Sequence, residues 1–126
     1  MPGRKHKRFF TDILVDLFTP DALTNKGRGV IIDMSITGMA IETESLLDVE
    51  TELLVYIRLP NHKSGHQFFA EIVRMQDFGN LHRYGLNYTR ISLAEKIMLF
   101  FFIRKWVREH RLENGENENK KAKPEV

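Results

Sequence analysis

The chain has 126 residues, no cysteine, 42% hydrophobic and 29% charged residues, and a formal net charge of +2. This composition is typical of one globular domain, and it excludes disulfides, thiolate catalysis and cysteine-rich zinc sites. Because the charges nearly balance, an electrostatic function would have to come from a local cluster of charge.

The first such cluster lies at the N-terminus. Residues 4–8 read RKHKR, and no acidic residue precedes them. Terminal clusters of this kind are usually solvated, so the cluster alone is weak support for a binding site. We assign residues 1–8 to a flexible basic arm. The apolar run after the arm is interrupted by Thr11, Asp12 and Asp16, which is unlike a secretion signal, and we expect a cytoplasmic protein.

Six short runs of alternating or β-compatible residues follow the arm, and each predicts a strand. They are residues 9–18, 29–34, 39–43, 52–59, 66–75 and 82–91. Compact turn sequences separate the runs, and Asn25-Lys26-Gly27 predicts a hairpin connection within residues 21–29. Short strands joined by such turns predict a mainly β fold, either an antiparallel barrel or a sandwich.

The hydrophobic period changes after the sixth run. Ser92-Leu93-Ala94-Glu95 matches a capping box, in which serine and glutamate satisfy each other's backbone amides at the start of a helix. The helix is predicted to run to about Leu112, since Asn114-Gly115 then provides a stop. Residues 113–126 have almost no apolar content and are predicted to be a disordered tail. The folded domain would then span residues 9–112.

A second polar motif lies at the end of the second predicted strand. Asp33 and Ser35 are two residues apart, so both side chains can leave the same face of the strand. Gly38 permits a positive φ in the turn that follows, or a close approach by a ligand. Arg4 and Arg8 offer planar forks that bind guanine O6 and N7, or phosphate, and a carboxylate can accept from the guanine N1 and N2 donors. Together these residues suit a guanine nucleotide with several negative charges.

The combination Arg-x-x-x-Arg at Arg4 and Arg8, followed by Asp-x-Ser-x-x-Gly at Asp33, Ser35 and Gly38, resembles the PilZ domain family of cyclic di-GMP receptors. The resemblance implies a six-stranded antiparallel β-barrel with a C-terminal α-helix and disordered ends. It also implies that these five residues bind cyclic di-GMP, with the arm closing over the ligand against the barrel wall.

The family resemblance implies a receptor that signals through a protein partner, with no catalytic activity and no cofactor or metal beside the nucleotide ligand. Some relatives carry another arginine directly before the first motif and bind a stacked dimer of the nucleotide. Here that position is Gly3, which leaves the number of bound ligands open.

The predicted helix has more apolar surface than one barrel can cover. Residues 97–103 are apolar on all sides, although seven residues are far fewer than the roughly 18 that cross a bilayer. We expect a protein partner or self-association through helix residues near Phe100, Phe102 and Trp106. A membrane surface is a third candidate, because arginines and a lysine flank Trp106.

Two alternative functions stay open. A PilZ-like adaptor could act by protein contacts without binding the nucleotide, or, less favoured, a barrel face and the arm could bind single-stranded nucleic acid. An enzyme is not expected, because Ser35 lacks a nucleophile elbow and no acid–base constellation is evident. His62 and His66 have no third partner for a metal, and the glycines near Lys26 do not form a phosphate loop.

Overall fold

The structure, a computed structural model, describes residues 13–58 and 65–122, with the side chains only up to Glu109. Its six strands are β1 (Leu14–Phe18), β2 (Asn25–Met34), β3 (Gly38–Thr43), β4 (Glu52–Arg58), β5 (His66–Phe78) and β6 (Leu81–Tyr88). All neighbours pair antiparallel and close a barrel in the order β1-β2-β3-β6-β5-β4. One helix, α1 (Leu93–Ala122), follows. The predicted six-stranded barrel with a C-terminal helix is confirmed.

Alternation along the strands builds a single core inside the barrel. Successive side chains of a strand point to opposite faces of the sheet, so every second residue faces the inside of the barrel, and these residues are apolar. Val15, Leu17, Ile31, Ile72 and Tyr84 are completely buried in this way. The alternate residues of each strand form the outer wall of the barrel.

The first connection lies earlier than predicted. The turn is formed by residues 19–24, and β2 already begins at Asn25. Asp21 accepts hydrogen bonds from the hydroxyl of Thr19 and the amide of Leu23, which fixes the turn before the glycines. Gly29 instead belongs to the strand, where a β-carbon would lie 2.5 Å from the carbonyl oxygen of Glu42 on β3. The predicted hairpin between the first two strands is confirmed, but Asn25 and Gly27 lie in β2, where Gly27 has a φ of 130° beside a register shift in the pairing with β1.

The predicted capping box is confirmed at the start of α1. The amide of Glu95 donates to the Ser92 hydroxyl (3.1 Å), and the amide of Ser92 donates to the Glu95 carboxylate (2.8 Å). Behind this cap the helix covers one mouth of the barrel. Leu99 is buried at 2% exposure, and the half-buried Phe102 and Trp106 pack against the same core.

The far end of α1 also differs from the sequence prediction. The helix continues to Ala122, whereas an end near Leu112 and a disordered tail were predicted. Asn114 and Gly115 are weak helix formers but not absolute stops, and Glu116 and Lys120 have the four-residue spacing that supports a helix. Within the described residues, no helix is both long enough and apolar enough to cross a membrane.

Candidate ligand-binding site

A concave pocket of about 160 Å³ lies on the outer wall of the barrel, where β2 turns into β3. Strands β3, β6 and β5 extend its floor sideways, because they follow one another in the sheet. The residues that line it are Asp33, Met34, Ser35, Thr37, Gly38, Met39, Ala40, Arg74, Gly85, Leu86 and Asn87. The lining is mostly polar groups and backbone, which suits a polar ligand more than an apolar one.

The turn between β2 and β3 holds its own side chains in place. Ser35 accepts a hydrogen bond from the amide of Thr37 (3.2 Å), and the two hydroxyls lie 3.0 Å apart. The Ser35 amide donates to the carbonyl of Gly38 (2.9 Å), which closes the turn. One carboxylate oxygen of Asp33 accepts from the amide of Met34 (2.9 Å). The other carboxylate oxygen has no donor among the described residues and is available to a ligand.

Gly38 has a reason for being glycine that the sequence did not reveal. It has no positive φ, unlike Gly27 and Gly79 among the described residues. A β-carbon at Gly38 would instead overlap the backbone carbonyl of Leu86 on β6. Gly38 therefore lets β3 pair closely with β6 along the side of the pocket.

Two β-bulges turn polar side chains outward onto the pocket floor. In β2 the pairing with β3 shifts between Ile31 and Asp33, and in β5 the pairing with β6 shifts between Ile72 and Arg74. Ile31 and Ile72 face the core, so strict alternation would turn the residues two positions later inward as well. The extra residue in each bulge re-aims Asp33 and Arg74 to the outer wall.

The register then places these two side chains at opposite ends of one row. Asp33 pairs with Ala40, Ala40 with Gly85, and Gly85 with Arg74. The two central residues are small and leave the floor low. A β-carbon on Gly85 would lie 2.8 Å from Cζ of Arg74 and 3.0 Å from its Cγ, so the arginine lies flat across β6 towards Asp33.

The structure brings together three of the five residues that the sequence predicted for the site. Asp33, Ser35 and Gly38 share the pocket, whereas Arg4 and Arg8 lie outside the described residues. Sequence reasoning missed Arg74 and Asn87, which line the other side of the pocket from β5 and β6. The only sequence signal for Arg74 was a charged residue in phase with buried ones, because strict alternation would have put it in the core.

A metal site has no support in the part of the chain that the structure describes. No three histidine, aspartate or glutamate side chains converge there in a way that could hold an ion. His66 is exposed at the start of β5, and His62 lies outside the described residues. The pocket is thus an arrangement of hydrogen-bonding groups.

The comparison with known families agrees with this geometry. The sequence profile of the PilZ domain matches residues 2–105, which is most of the chain. The chain belongs to the PilZ domain family. The match includes both sequence motifs and all six strands of the barrel.

Solved structures show the same fold at low sequence identity. The PilZ domain of YcgR from Escherichia coli, solved with c-di-GMP, has a TM-score of 0.67 and 17% identity, over 82% of this chain and 87% of that one. MotI/DgrA from Bacillus subtilis, an inhibitor of motility, has a TM-score of 0.58 and 19% identity, over 86% of this chain and 57% of that one. At such identities the likeness establishes a common fold.

Some of these similar proteins are longer than the part that matches. The YcgR structure from Escherichia coli in complex with c-di-GMP has a TM-score of 0.68 and 16% identity over 82% of this chain, which spans only 45% of that one. A search of curated proteins gave no match to this PilZ chain.

Proposed function

We propose that this PilZ domain is a cyclic di-GMP receptor that binds the nucleotide through Arg4, Arg8, Asp33, Ser35 and Gly38. The observation that carries the proposal is the shared pocket of Asp33, Ser35 and Gly38 on the barrel wall of a chain that belongs to this family. Arginines in the family's spacing precede that wall in the sequence.

Each proposed group has a defined chemical task. The carboxylate of Asp33 accepts from the N1 and N2 donors of a guanine, and the Ser35 hydroxyl can hydrogen-bond the same nucleotide. Gly38 lets β3 pair closely with β6, which places the backbone at the side of the pocket where the ligand would bind. Arg4 and Arg8 supply bidentate donors to phosphate or to guanine acceptors, and their charge attracts the anionic nucleotide. No group in this set performs a bond-breaking step.

Binding on this scheme changes the order of the N-terminal arm. The arginines reach the ligand only when residues 1–8 close over the pocket. A ligand shifts that equilibrium only by as much as it prefers the closed arm over the open one. Ordering of the arm is therefore the change that nucleotide binding makes in the chain.

Titration calorimetry with cyclic di-GMP tests the proposal, with GMP as the control ligand. We expect binding by the unmodified chain and an affinity about 10- to 100-fold lower for Arg8→Ala, because one bidentate contact is lost. Arg8→Lys keeps the charge but removes the fork, so it should recover only a part of that loss. A chain that releases no heat with cyclic di-GMP, and whose arm signals in NMR spectra do not change, would refute the receptor function.

The signal then passes to a protein partner through the helix. Of the three aromatic residues expected on the free face, Phe102 and Trp106 pack against the barrel, and Phe100 remains exposed. Phe101 is 61% exposed beside it, and Leu93 and Ile97 continue the same side of α1. These four residues define the exposed helix face. A contiguous apolar face of this kind is typical of a protein contact surface.

Site-specific photo-crosslinking in the native cells tests this face. A photoreactive amino acid replaces Phe101 in one variant and Leu46 in another, because Leu46 is 72% exposed in the connection between β3 and β4. We expect a protein adduct at Phe101 and none at Leu46, and an adduct of twice the chain's mass would identify a second copy. If no protein adduct forms at position 101, or if both positions give the same adducts, the helix face is not the contact.

A further inference from the structure

Arg74 differs from the other arginines of the barrel. Among residues 13–58 and 65–92, each of the others forms an ion pair. The pairs are Arg28 and Arg58 with Asp16, Arg83 with Glu42, and Arg90 with Glu52. Arg74 has no acidic partner and no hydrogen bond within the described residues, although it lines the pocket. None of the donors of its guanidinium is used by a residue of the described part of the chain.

The fold holds this free guanidinium over the pocket floor. The bulge after Ile72 turns Arg74 outward, and the missing side chain of Gly85 lets it lie across β6. With any larger residue at position 85 the arginine would have to move, because Nη1 would lie 2.9 Å from the added β-carbon. Ala40 continues the low floor towards Asp33.

We propose that Arg74 is a base-specificity residue of this pocket, which donates to the O6 and N7 acceptors of the guanine whose donor edge is held by Asp33. This inference rests on the proposed function, because it assigns an additional residue to the same ligand. Arginine is the side chain whose planar fork matches the O6 and N7 pair of guanine. Adenine has an amino group in place of O6, so the pair of Asp33 and Arg74 selects guanine.

The distance across the floor suits one base. The guanidinium lies over β6, and β2 with Asp33 is two strands away, which is about 10 Å at the usual strand spacing. A hydrogen bond of about 2.9 Å at each end of this span leaves roughly 4 Å between the ligand atoms that bond to Arg74 and those that bond to Asp33. The opposite edges of a purine are separated by a distance of this order.

Calorimetry on the full chain measures the contribution of Arg74 first. Arg74→Ala is expected to weaken cyclic di-GMP binding about 10- to 100-fold, since a bidentate base contact is lost. Arg83→Ala is the matched control, because Arg83 lies on β6, pairs with Glu42 and is outside the pocket lining. Its affinity should equal that of the unmodified chain.

An analogue of the ligand distinguishes a contact of Arg74 with the base from a contact with a phosphate. Cyclic di-GMP with carbon in place of N7 should bind the unmodified chain about 10-fold more weakly. That penalty should shrink in Arg74→Ala, because the donor that N7 would accept from is gone. An equal penalty in both proteins overturns the assignment of Arg74 to the base.

Gly85→Ala tests whether position 85 holds the arginine in place. The three atoms nearest to the added methyl group all belong to the flexible Arg74 side chain, so the fold should persist while cyclic di-GMP affinity falls about 10-fold. In the Arg74→Ala background the same change should add no further loss.

The outcomes separate this inference from the proposed function. If the unmodified chain does not bind cyclic di-GMP, both are refuted together. If the chain binds and Arg74→Ala binds equally tightly, the receptor function stands and Arg74 is not part of its site. Additive effects of the Arg74 and Gly85 changes would overturn the positioning role of Gly85.

Discussion

Replacing Asp33 with alanine is expected to weaken cyclic di-GMP binding about 100-fold, which corresponds to about 2.7 kcal/mol. The carboxylate would accept from two guanine donors, and both donors lose their charged partner in the variant. The direction of the change in affinity distinguishes two explanations. Removing a negative charge reduces repulsion of an anionic ligand, so a general electrostatic attraction predicts tighter binding instead. Titration calorimetry of the variant measures the difference directly.

The fold should not obscure this result. Asp33 is exposed, and within the described residues its carboxylate accepts a hydrogen bond from the neighbouring amide of Met34. Asp48→Ala is the matched control, because Asp48 is an exposed acid outside the pocket and its side chain has no hydrogen-bond or ion-pair partner within the described residues. We expect the control to bind as the unmodified chain does or slightly more tightly. If the two variants bind alike, Asp33 does not hold the base.

The sequence predicted the fold well where a single physical cause acts. Alternation and β-compatible residues between turn sequences identified all six strands, because in a closed barrel every strand has one buried and one outer face. The capping box placed the start of α1 correctly, since Ser92 and Glu95 satisfy each other within one turn. The first turn was predicted too late in the chain, because Asn25 and Gly27 form an irregularity within β2, and such an irregularity uses the same residue types as a turn.

The candidate site was predicted only in part, for a related reason. Motif spacing brought Asp33 and Ser35 to one pocket, because both belong to a single local turn. Arg74 was missed because its place depends on two bulges and on the pairing of four strands. A bulge is decided by the whole sheet, and one sequence does not mark it. The contribution of Arg4 and Arg8 stays a prediction, since both lie outside the described residues.

Replacing Gly38 with alanine is expected to destabilise the fold strongly. The result distinguishes two explanations for the glycine in this motif. The sequence suggested a positive φ or an approach by the ligand, but the structure shows a close approach by the chain's own β6. Gly38→Ala would push a β-carbon into the carbonyl of Leu86 and force β3 away from β6. We expect a loss of about 3 kcal/mol in the free energy of unfolding. For a domain of this size, that lowers Tm by on the order of 15 °C.

Two other glycines provide graded controls. Gly79 has a φ of 83° and no atom within 4 Å of an added β-carbon, so Gly79→Ala should cost about 1 kcal/mol through backbone strain alone. In Gly85→Ala the three atoms nearest to the new methyl group belong to the flexible Arg74 side chain, which can move aside, and stability should hardly change.

Thermal unfolding of the three variants, each measured beside its cyclic di-GMP affinity, checks this order. Gly38→Ala should unfold at the lowest temperature of the three. Gly85→Ala should lose nucleotide affinity without losing stability. Gly79→Ala should keep its affinity, because the hairpin tip lies outside the pocket. If Gly38→Ala unfolds like the unmodified chain and loses only nucleotide binding, the glycine belongs to the ligand rather than to the pairing of β3 with β6. Gly38 would then leave space for the nucleotide, which is one of the two explanations that the sequence suggested.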